Sequence, residues 1–202
     1  MYQPRHFEQV DPAQLHGVMA AHPLATLVHQ GTDGLAADLL PLMFDPATQT
    51  LRGHVARANP LWQAADGREV LVLFQGPQAY ISPNWLPGKA EHHQVVPTWN
   101  YVVVQAQGGL RAVQDRTALH ALVSGLTQVH ESSQPRPWAV ADAPADYLDK
   151  MLGAIVGIEV AVRTLAGKWK VSQNRPAADR HGIADGLQAQ WGDHPMAGLV
   201  RP

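Results

Sequence analysis

The chain has 202 residues, of which 46% are hydrophobic and none is cysteine. The 15 basic and 17 acidic residues nearly balance, so the sequence lacks the positive excess typical of proteins that bind nucleic acid nonspecifically. Without cysteine there are no disulfides, thiol nucleophiles or thiolate metal sites. We expect one cytoplasmic domain over residues 1–202 with a sizeable core, and no apolar run is long enough for a membrane span.

The first third of the chain predicts a helix followed by three strands. Asp11 is the candidate N-cap of a helix over residues 12–21. Strands are predicted over residues 24–29, 35–44 and 50–56, with turns at Thr32-Asp33-Gly34 and Asp45-Pro46. This succession of strands and tight turns predicts an antiparallel meander.

The middle of the chain predicts a short helix and two longer strands. The helix covers residues 60–65, and the apolar run Val70–Phe74 after it is typical of a buried strand. Gly76-Pro77 is expected to end that strand, which resumes over residues 79–82. Residues 85–97 are predicted to be a loop, and residues 98–113 a strand bent or bulged at Gly108-Gly109.

The last part of the chain alternates helices with one strand. Predicted helices run from Asp115 to about His130, onward from Asp142-Ala143-Pro144, and over residues 176–190, with a loose tail at the end of the chain. A strand is predicted from Ile155 to about Val171. The whole pattern predicts a mainly β (α+β) fold, an antiparallel barrel with peripheral helices, rather than a doubly wound sheet.

The stretch from Gly53 to Trp62 predicts an anion site. It reads as a strand that ends on Arg57, followed by Asn59 as N-cap and Pro60 at the first helical position. A guanidinium beside free backbone N–H groups suits a phosphate. The alternative is an exposed charge next to an ordinary helix cap.

Four polar clusters lie at predicted strand ends. They are His54, Arg57 and Asn59; Ser82, Asn84, Trp85 and Lys89; Thr98, Trp99 and Asn100; and Lys168, Lys170, Ser172, Gln173, Asn174 and Arg175. Cations, hydroxyls, amides and aromatic rings together suit a ligand that carries both a phosphate and a ring. Alternatively, the tryptophans belong to the core, and Lys168 and Lys170 face solvent from an edge strand.

Established catalytic and nucleotide motifs are missing. The sequence contains no Gly-x-Gly-x-x-Gly, no Walker-type loop and no Gly-x-Ser-x-Gly. His92 and His93 are adjacent and would point to opposite faces of a strand, and no His-Glu-x-x-His spacing occurs, so no metal is expected. A phosphate site would have to be built from side chains and a helix start.

Several longer motifs resemble one known family. They are Met1-Tyr-x-Pro-x-His-Phe7, His22-Pro-Leu-Ala-Thr-Leu27, Gly53-His-Val-Ala-Arg-Ala-Asn-Pro-Leu-Trp62, Gly76-Pro-x-Ala-Tyr-Ile-Ser-Pro83, Val96-Pro-Thr-Trp-Asn-Tyr101 and Gly167-Lys-Trp-Lys-x-Ser-Gln-Asn-Arg-Pro176. The chain resembles the PaiB-like family of FMN-binding negative transcriptional regulators, whose fold is the FMN-binding split barrel. Gly88 and His93 depart from the family pattern.

The resemblance implies a homodimer that binds FMN, with its contacts at named positions. The phosphate would be held by Arg57, Ala58 and Asn59, with His54 in the same motif. The flavin or its ribityl chain would be lined by Ser82, Thr98, Trp99 and Asn100, and the site closed by Lys170, Gln173 and Asn174.

Two functional classes follow from the resemblance. The first is a flavin-linked transcriptional or metabolic regulator that acts on DNA or on a partner protein. The second is an FMN-dependent oxidoreductase, similar to flavin reductases or to pyridoxamine phosphate oxidase, in which FMN carries the electrons. Direct DNA binding is not supported by the sequence, because the net charge is −2 and no helix-turn-helix is evident.

Overall fold

The computed structural model describes residues 1–202 and contains seven helices. They are α1 Pro12–Ala21, α2 Leu61–Ala64, α3 Gly88–His92, α4 Arg116–Glu131, α5 Ala145–Gly153, α6 Ala177–Trp191 and α7 Pro195–Val200. The predicted caps of two helices are confirmed, because Asp11 Oδ1 accepts from Ala13 N and Asp115 Oδ1 accepts from Ala118 N. No helix is long and apolar enough to cross a membrane.

Eight strands form one open, mainly antiparallel sheet. They are β1 Glu8–Gln9, β2 Leu24–Gly31, β3 Gly34–Pro41, β4 Met43–Asp45, β5 Thr50–Ala56, β6 Glu69–Ile81, β7 Thr98–Val113 and β8 Ile155–Lys170. The strand order is β3-β2-β6-β7-β8-β5-β4, and β1 pairs with β8. A mainly β fold with peripheral helices is therefore confirmed.

The contacts within the chain group its residues into two compact units. Unit 1 comprises residues 1–18, 75–104 and 166–202, and unit 2 comprises residues 19–74 and 105–165. Strands β6, β7 and β8 each contribute residues to both units.

Unit 2 is organised by two antiparallel strand pairs. The β2–β3 hairpin runs in register from Leu24↔Pro41 to Gly31↔Gly34, and β5 pairs with β8 from Thr50↔Ala161 to Ala56↔Ile155. Leu27 of β2, Leu51 of β5, Val72 and Phe74 of β6, and Ile158 of β8 are fully buried. The alternating pattern of the sequence therefore places one face of each strand in the core.

Gly108 reflects a close approach of two strands rather than a bulge. Buried residues alternate without interruption along β7 from Asn100 to Leu110, so the expected bulge at Gly108-Gly109 is wrong. A Cβ atom on Gly108 would lie 2.0 Å from the carbonyl oxygen of Ala161. Only glycine lets β7 approach β8 so closely at this point.

Unit 1 contains a helix at the end of the chain where the sequence predicts a loose tail. Met196 and Val200 of α7 are fully buried, and Arg180 of α6 donates from Nε to Val200 O at 2.8 Å. The prediction of a loose tail is wrong because α7 is short and its apolar residues find their partners only in tertiary contacts with α6.

The remaining differences concern breaks between strands. β6 continues through Gly76-Pro77. Its buried residues have even numbers up to Phe74 and odd numbers from Ala79 onward. One extra residue inserted in a strand causes such a change of face. The predicted strand 35–44 is divided at Leu42, so that β4 pairs with β5 while β3 pairs with β2. The meander is therefore incomplete, and the predicted loop 85–97 contains α3.

An ion network in unit 2 yields a prediction about pH. Arg52 Nη1 donates to Asp45 at 2.8 Å and its Nε donates to Glu159 at 3.1 Å, while Arg111 also binds Glu159. The hydrogen bonds from Arg52 and Thr48 lower the pKa of Asp45 from 3.8 to about 2. Burial opposes ionisation of Glu159, but the hydrogen bonds from Arg111 and Arg52 outweigh it and lower its pKa.

We expect Arg52→Met to raise the pKa values of both Asp45 and Glu159. In the wild type the contribution of Asp45 to stability is present above pH 3.8 and is lost as the pH falls towards about 2, because the unfolded chain binds a proton that the folded chain does not. Carboxyl NMR titration of the two residues measures the shift. Arg163→Met, which removes an exposed ion pair with Glu69, is the control that leaves both values unchanged.

Candidate functional site

Arg57, the predicted phosphate ligand, ties the end of β5 to the end of α5. Its Nε donates to Gly153 O at 2.8 Å, Nη2 to Ile155 O at 2.9 Å and Nη1 to Gln114 Oε1 at 2.9 Å. A guanidinium has five N–H donors, so one N–H on each terminal nitrogen is left. The side chain is exposed, and these two donors are available to an anion.

Asn59 lies one residue before the N-cap of the following helix, which is Pro60 rather than the predicted Asn59, and its side chain bonds both the helix and a carboxylate. Its Oδ1 accepts from Leu61 N at 2.8 Å, at the start of α2. Its Nδ2 donates to Asp38 Oδ1 at 2.7 Å, and Asp38 Oδ2 lies 3.3 Å from His29 Nε2. The side chain of Asn59 therefore joins β3 to the start of α2, and Asp38 occupies its amide group.

A cleft of about 470 Å³ lies beside this hydrogen-bonded group. It is lined by His29, Gly31, Thr32, Asp33, Gly34, Leu35, Ala36, Asp38, Asn59, Pro60, Leu61 and Ala64. Its size is in the range of small-molecule sites. Two carboxylates and no lysine or arginine line it, so the cleft itself disfavours a phosphate, and the cation available to a phosphate in this part of unit 2 is Arg57.

His54, in the same motif, is half-buried on β5. Burial lowers its pKa, so the imidazole is held in its neutral form. The Nδ1 atoms of His54 and His29 are both buried, and neither has a hydrogen-bond partner. Ala58 is exposed at the turn after the strand.

In unit 1 the structure brings Lys170, Thr98 and Trp99 into direct contact. Lys170 Nζ donates to Thr98 Oγ1 at 2.5 Å and to Trp99 O at 2.8 Å. The indole of Trp99 is 55% exposed and meets the ring of Tyr80, 41% exposed, edge to face at 6.1 Å. Unit 1 therefore offers both an ammonium group and an exposed aromatic pair, and the two together suit a planar, negatively charged ligand.

Other predicted residues of unit 1 have supporting contacts. Asn100 is buried and its Nδ2 donates to Ser172 Oγ at 2.9 Å. Gln173 accepts from Val171 N and donates to His6 O at 2.9 Å, which anchors the turn after β8. Ser82 Oγ accepts from Asn84 N at 3.2 Å, and Asn174 is exposed in the turn.

Lys168, a member of the fourth predicted polar cluster, is buried. It is only 7% exposed, so the alternative interpretation that it faces solvent from an edge strand is wrong. Its Nζ donates to Tyr2 O at 3.0 Å and lies 5.3 Å from the centroid of the Tyr101 ring. The two-residue strand β1, which pairs Glu8 with Lys168, covers this part of β8 and is too short to produce a periodic signal. Two signals in the sequence pointed to Lys168, the polar cluster at the end of the predicted strand and the resemblance motif Gly167–Pro176.

The hydrogen bond between Asn100 and Ser172 yields a second prediction. Ser172 has a left-handed backbone with φ of 62°, which costs a non-glycine residue about 1 kcal/mol. Ser172→Ala should lower the free energy of unfolding by about 1–3 kcal/mol, because the buried Asn100 amide loses its partner. Ser172→Gly should be less destabilising, since glycine removes the backbone strain. Urea denaturation measures the free energy of unfolding of both variants. Equal losses in the two would show that the backbone of Ser172 is not strained.

The comparison with protein families matches residues 1–164 to a family described as "Putative FMN-binding domain". A protein of Bacillus subtilis, "Protease synthase and sporulation protein PAI 2", is 29% identical over 191 residues, which cover 93% of this chain and 89% of that protein. An uncharacterised protein of Aspergillus fumigatus is 34% identical over 190 residues, which cover 78% of this chain and 70% of that protein.

Solved structures with the same fold include two cofactor-binding proteins. The flavocytochrome Anf3 from Azotobacter vinelandii has a TM-score of 0.63 and 12% identity, covering 83% of this chain and 72% of that chain. The FAD and heme binding protein from Mycobacterium smegmatis has a TM-score of 0.63 and 16% identity, and the match covers 89% of this chain and 80% of that chain. At these identities the likeness concerns the fold, and it confirms the predicted split-barrel architecture.

Proposed function

Because the chain belongs to the family of FMN-binding domains, we propose that it is a flavin-linked regulator of the PaiB type. FMN or a related flavin is its cofactor, as the sequence predicts. The exposed residue Trp99, whose backbone carbonyl oxygen accepts a hydrogen bond from the Lys170 ammonium, is the observation that carries flavin binding. Regulation is supported by the likeness to the sporulation protein of Bacillus subtilis over 93% of this chain.

In the proposed homodimer FMN lies between subunits, so the two clusters that contact it need not come from the same chain. Arg57 holds the phosphate with its two remaining N–H donors, with His54, Ala58 and Asn59 around it. The ring and ribityl chain are lined by Ser82, Thr98, Trp99 and Asn100, with Lys170, Gln173 and Asn174 beside them. Bound FMN supplies electron transfer, and the protein binds and orients it.

The proposal includes a homodimer. Leu24, Leu35 and Leu39 on the β2–β3 hairpin are 61%, 80% and 70% exposed. Thr26 pairs with Leu39, so Leu24, Leu39 and Leu35 follow one another along one face of the hairpin. A continuous apolar face of this kind is typical of a surface that a second subunit covers.

Arg57→Ala tests the phosphate assignment. We expect it to weaken FMN binding by about 1.5–3 kcal/mol, the size of a charge-assisted hydrogen bond, and to leave riboflavin binding unchanged because riboflavin has no phosphate. Titration with each flavin, followed by flavin fluorescence, measures both affinities. Arg163→Ala, an exposed arginine of the same unit, is the matched control. An equal loss for FMN and riboflavin would show that Arg57 acts only through its hydrogen bonds within the protein.

A second candidate function is an FMN-dependent oxidoreductase. The cleft of about 470 Å³ favours it, since Asp38 and His29 stand in its wall and it has room for a small substrate. Such a protein would turn over NADH or NADPH with an electron acceptor.

One pair of measurements separates the two functions. A regulator should bind FMN, show no sustained oxidation of NADH or NADPH, and shift a promoter fragment from its own locus or retain a specific protein partner in a flavin-dependent way. Sustained turnover with no such shift or partner would favour the oxidoreductase. A purified protein that is colourless and does not bind added FMN would contradict both.

A further inference from the structure

A second cleft in unit 2 is lined by none of the residues proposed to contact the flavin. Its walls are one face of α4 and the segment of residues 137–141, and we call it the α4 cleft. Its volume is about 540 Å³. A cleft of this size can hold a small molecule.

One wall of the α4 cleft is a polar stripe along the helix. His120, Ser124, Thr127 and Glu131 all line the cleft. They are spaced three or four residues apart, which places them on one face of α4. The two hydroxyl groups in this stripe can bind a polar substituent of a ligand.

The other wall is held in place by hydrogen bonds. Trp138 N donates to Glu131 Oε2 at 3.0 Å, and Ala139 N donates to Asp142 Oδ2 at 2.9 Å. Val140 is buried and anchors the same segment. Trp138 also lines the cleft but is 47% exposed, so its indole is not part of the core. An aromatic ring that stays exposed in the wall of a cleft is available to a ligand.

Glu131 gives the α4 cleft a negative charge that the chain does not compensate. Its carboxylate accepts from a neutral backbone N–H group, and none of the ion pairs in the chain includes it. No lysine or arginine lines the cleft. The residue is half-buried, so solvent screens its charge less than that of an exposed carboxylate. The cleft therefore favours a cation over an anion.

The carboxylate and the indole favour the same kind of cation. Glu131 attracts an organic ammonium ion through its charge, and the face of the Trp138 indole attracts it through a cation–π interaction. A metal ion such as Ca²⁺ requires several oxygen ligands, whereas Glu131 is the only acidic residue in the walls of the cleft. The combination therefore selects an organic cation.

We propose that the α4 cleft binds a small organic ammonium ion that carries a hydroxyl group, in addition to the flavin. Glu131 neutralises the charge of the ligand, the Trp138 ring contacts its alkyl groups, and Ser124 and Thr127 bind its hydroxyl group. The site does not depend on the proposed function, because it shares no residue with the flavin contacts.

Choline and its uncharged carbon analogue, in which a tert-butyl group replaces the trimethylammonium group, are the matched probes. They have the same shape and the same hydroxyl group, and they differ in the positive charge. Titration calorimetry of the full chain saturated with FMN should show that choline binds more tightly than the analogue. Added salt should weaken the binding of choline and leave that of the analogue unchanged.

Two variants and a control assign the binding to the α4 cleft. Glu131→Gln removes the charge and keeps an oxygen that accepts from Trp138 N, so it should weaken choline binding about tenfold and leave the analogue unaffected. Trp138→Leu keeps an apolar side chain but removes the aromatic ring, so it should weaken choline binding about fivefold. Glu91→Gln, which removes an exposed carboxylate of α3, is the control and should change neither affinity.

Three outcomes would overturn the proposal. The first is equal affinity of the wild type for choline and the analogue. The second is unchanged choline binding in either variant of the cleft, once circular dichroism has shown that the variant is folded. The third is loss of choline binding on saturation with FMN, because choline would then occupy the flavin site. A chain that binds no FMN would refute the proposed function alone, since the probe titrations of the unliganded chain still decide this proposal.

Discussion

Hydrogen bonding along β8 is the constraint on which both polar clusters depend. In unit 2 the strand pairs with β5 up to Ala56↔Ile155, and Arg57 N then donates to Ala154 O at 2.8 Å. This register places the Arg57 guanidinium on the carbonyl groups at the end of α5. In unit 1 the last residues of β8 pair with β1, which buries Lys168. A shift of one residue would turn these side chains to the opposite face of the sheet.

The two polar clusters differ in whether acidic side chains accompany them. Around Asn59 in unit 2, the amide and the imidazole of His29 are engaged by Asp38, and the neighbouring cleft is acidic. The cationic donors lie instead on Arg57. In unit 1 the lysines have no acidic partner, and the exposed rings of Trp99 and Tyr80 accompany them. Both clusters therefore present cationic donors, but the cluster in unit 1 combines them with exposed aromatic rings.

Most of the secondary structure was predictable because its signals are local. Asp11 and Asp115 are helix caps at the expected positions, and the Thr32-Asp33-Gly34 turn closes the β2–β3 hairpin. The errors occur where a local signal was overridden. Proline at position 77 does not end β6, and α7 forms because its apolar residues pack against α6. Tertiary contacts that compensate a local cost cannot be read from a window of sequence.

The family, the cofactor class, the mainly antiparallel fold and the residue types at the strand ends could be inferred from the amino-acid sequence, because they depend on motifs and periodicity. The partners of each polar group became evident from the folded chain. It showed that three donors of Arg57 and both ends of the Asn59 amide are engaged within the protein, and that Lys168 is buried without a counter-charge. The physical reason is that hydrogen-bond partners and burial depend on residues distant in the chain, which only the pairing of strands brings together.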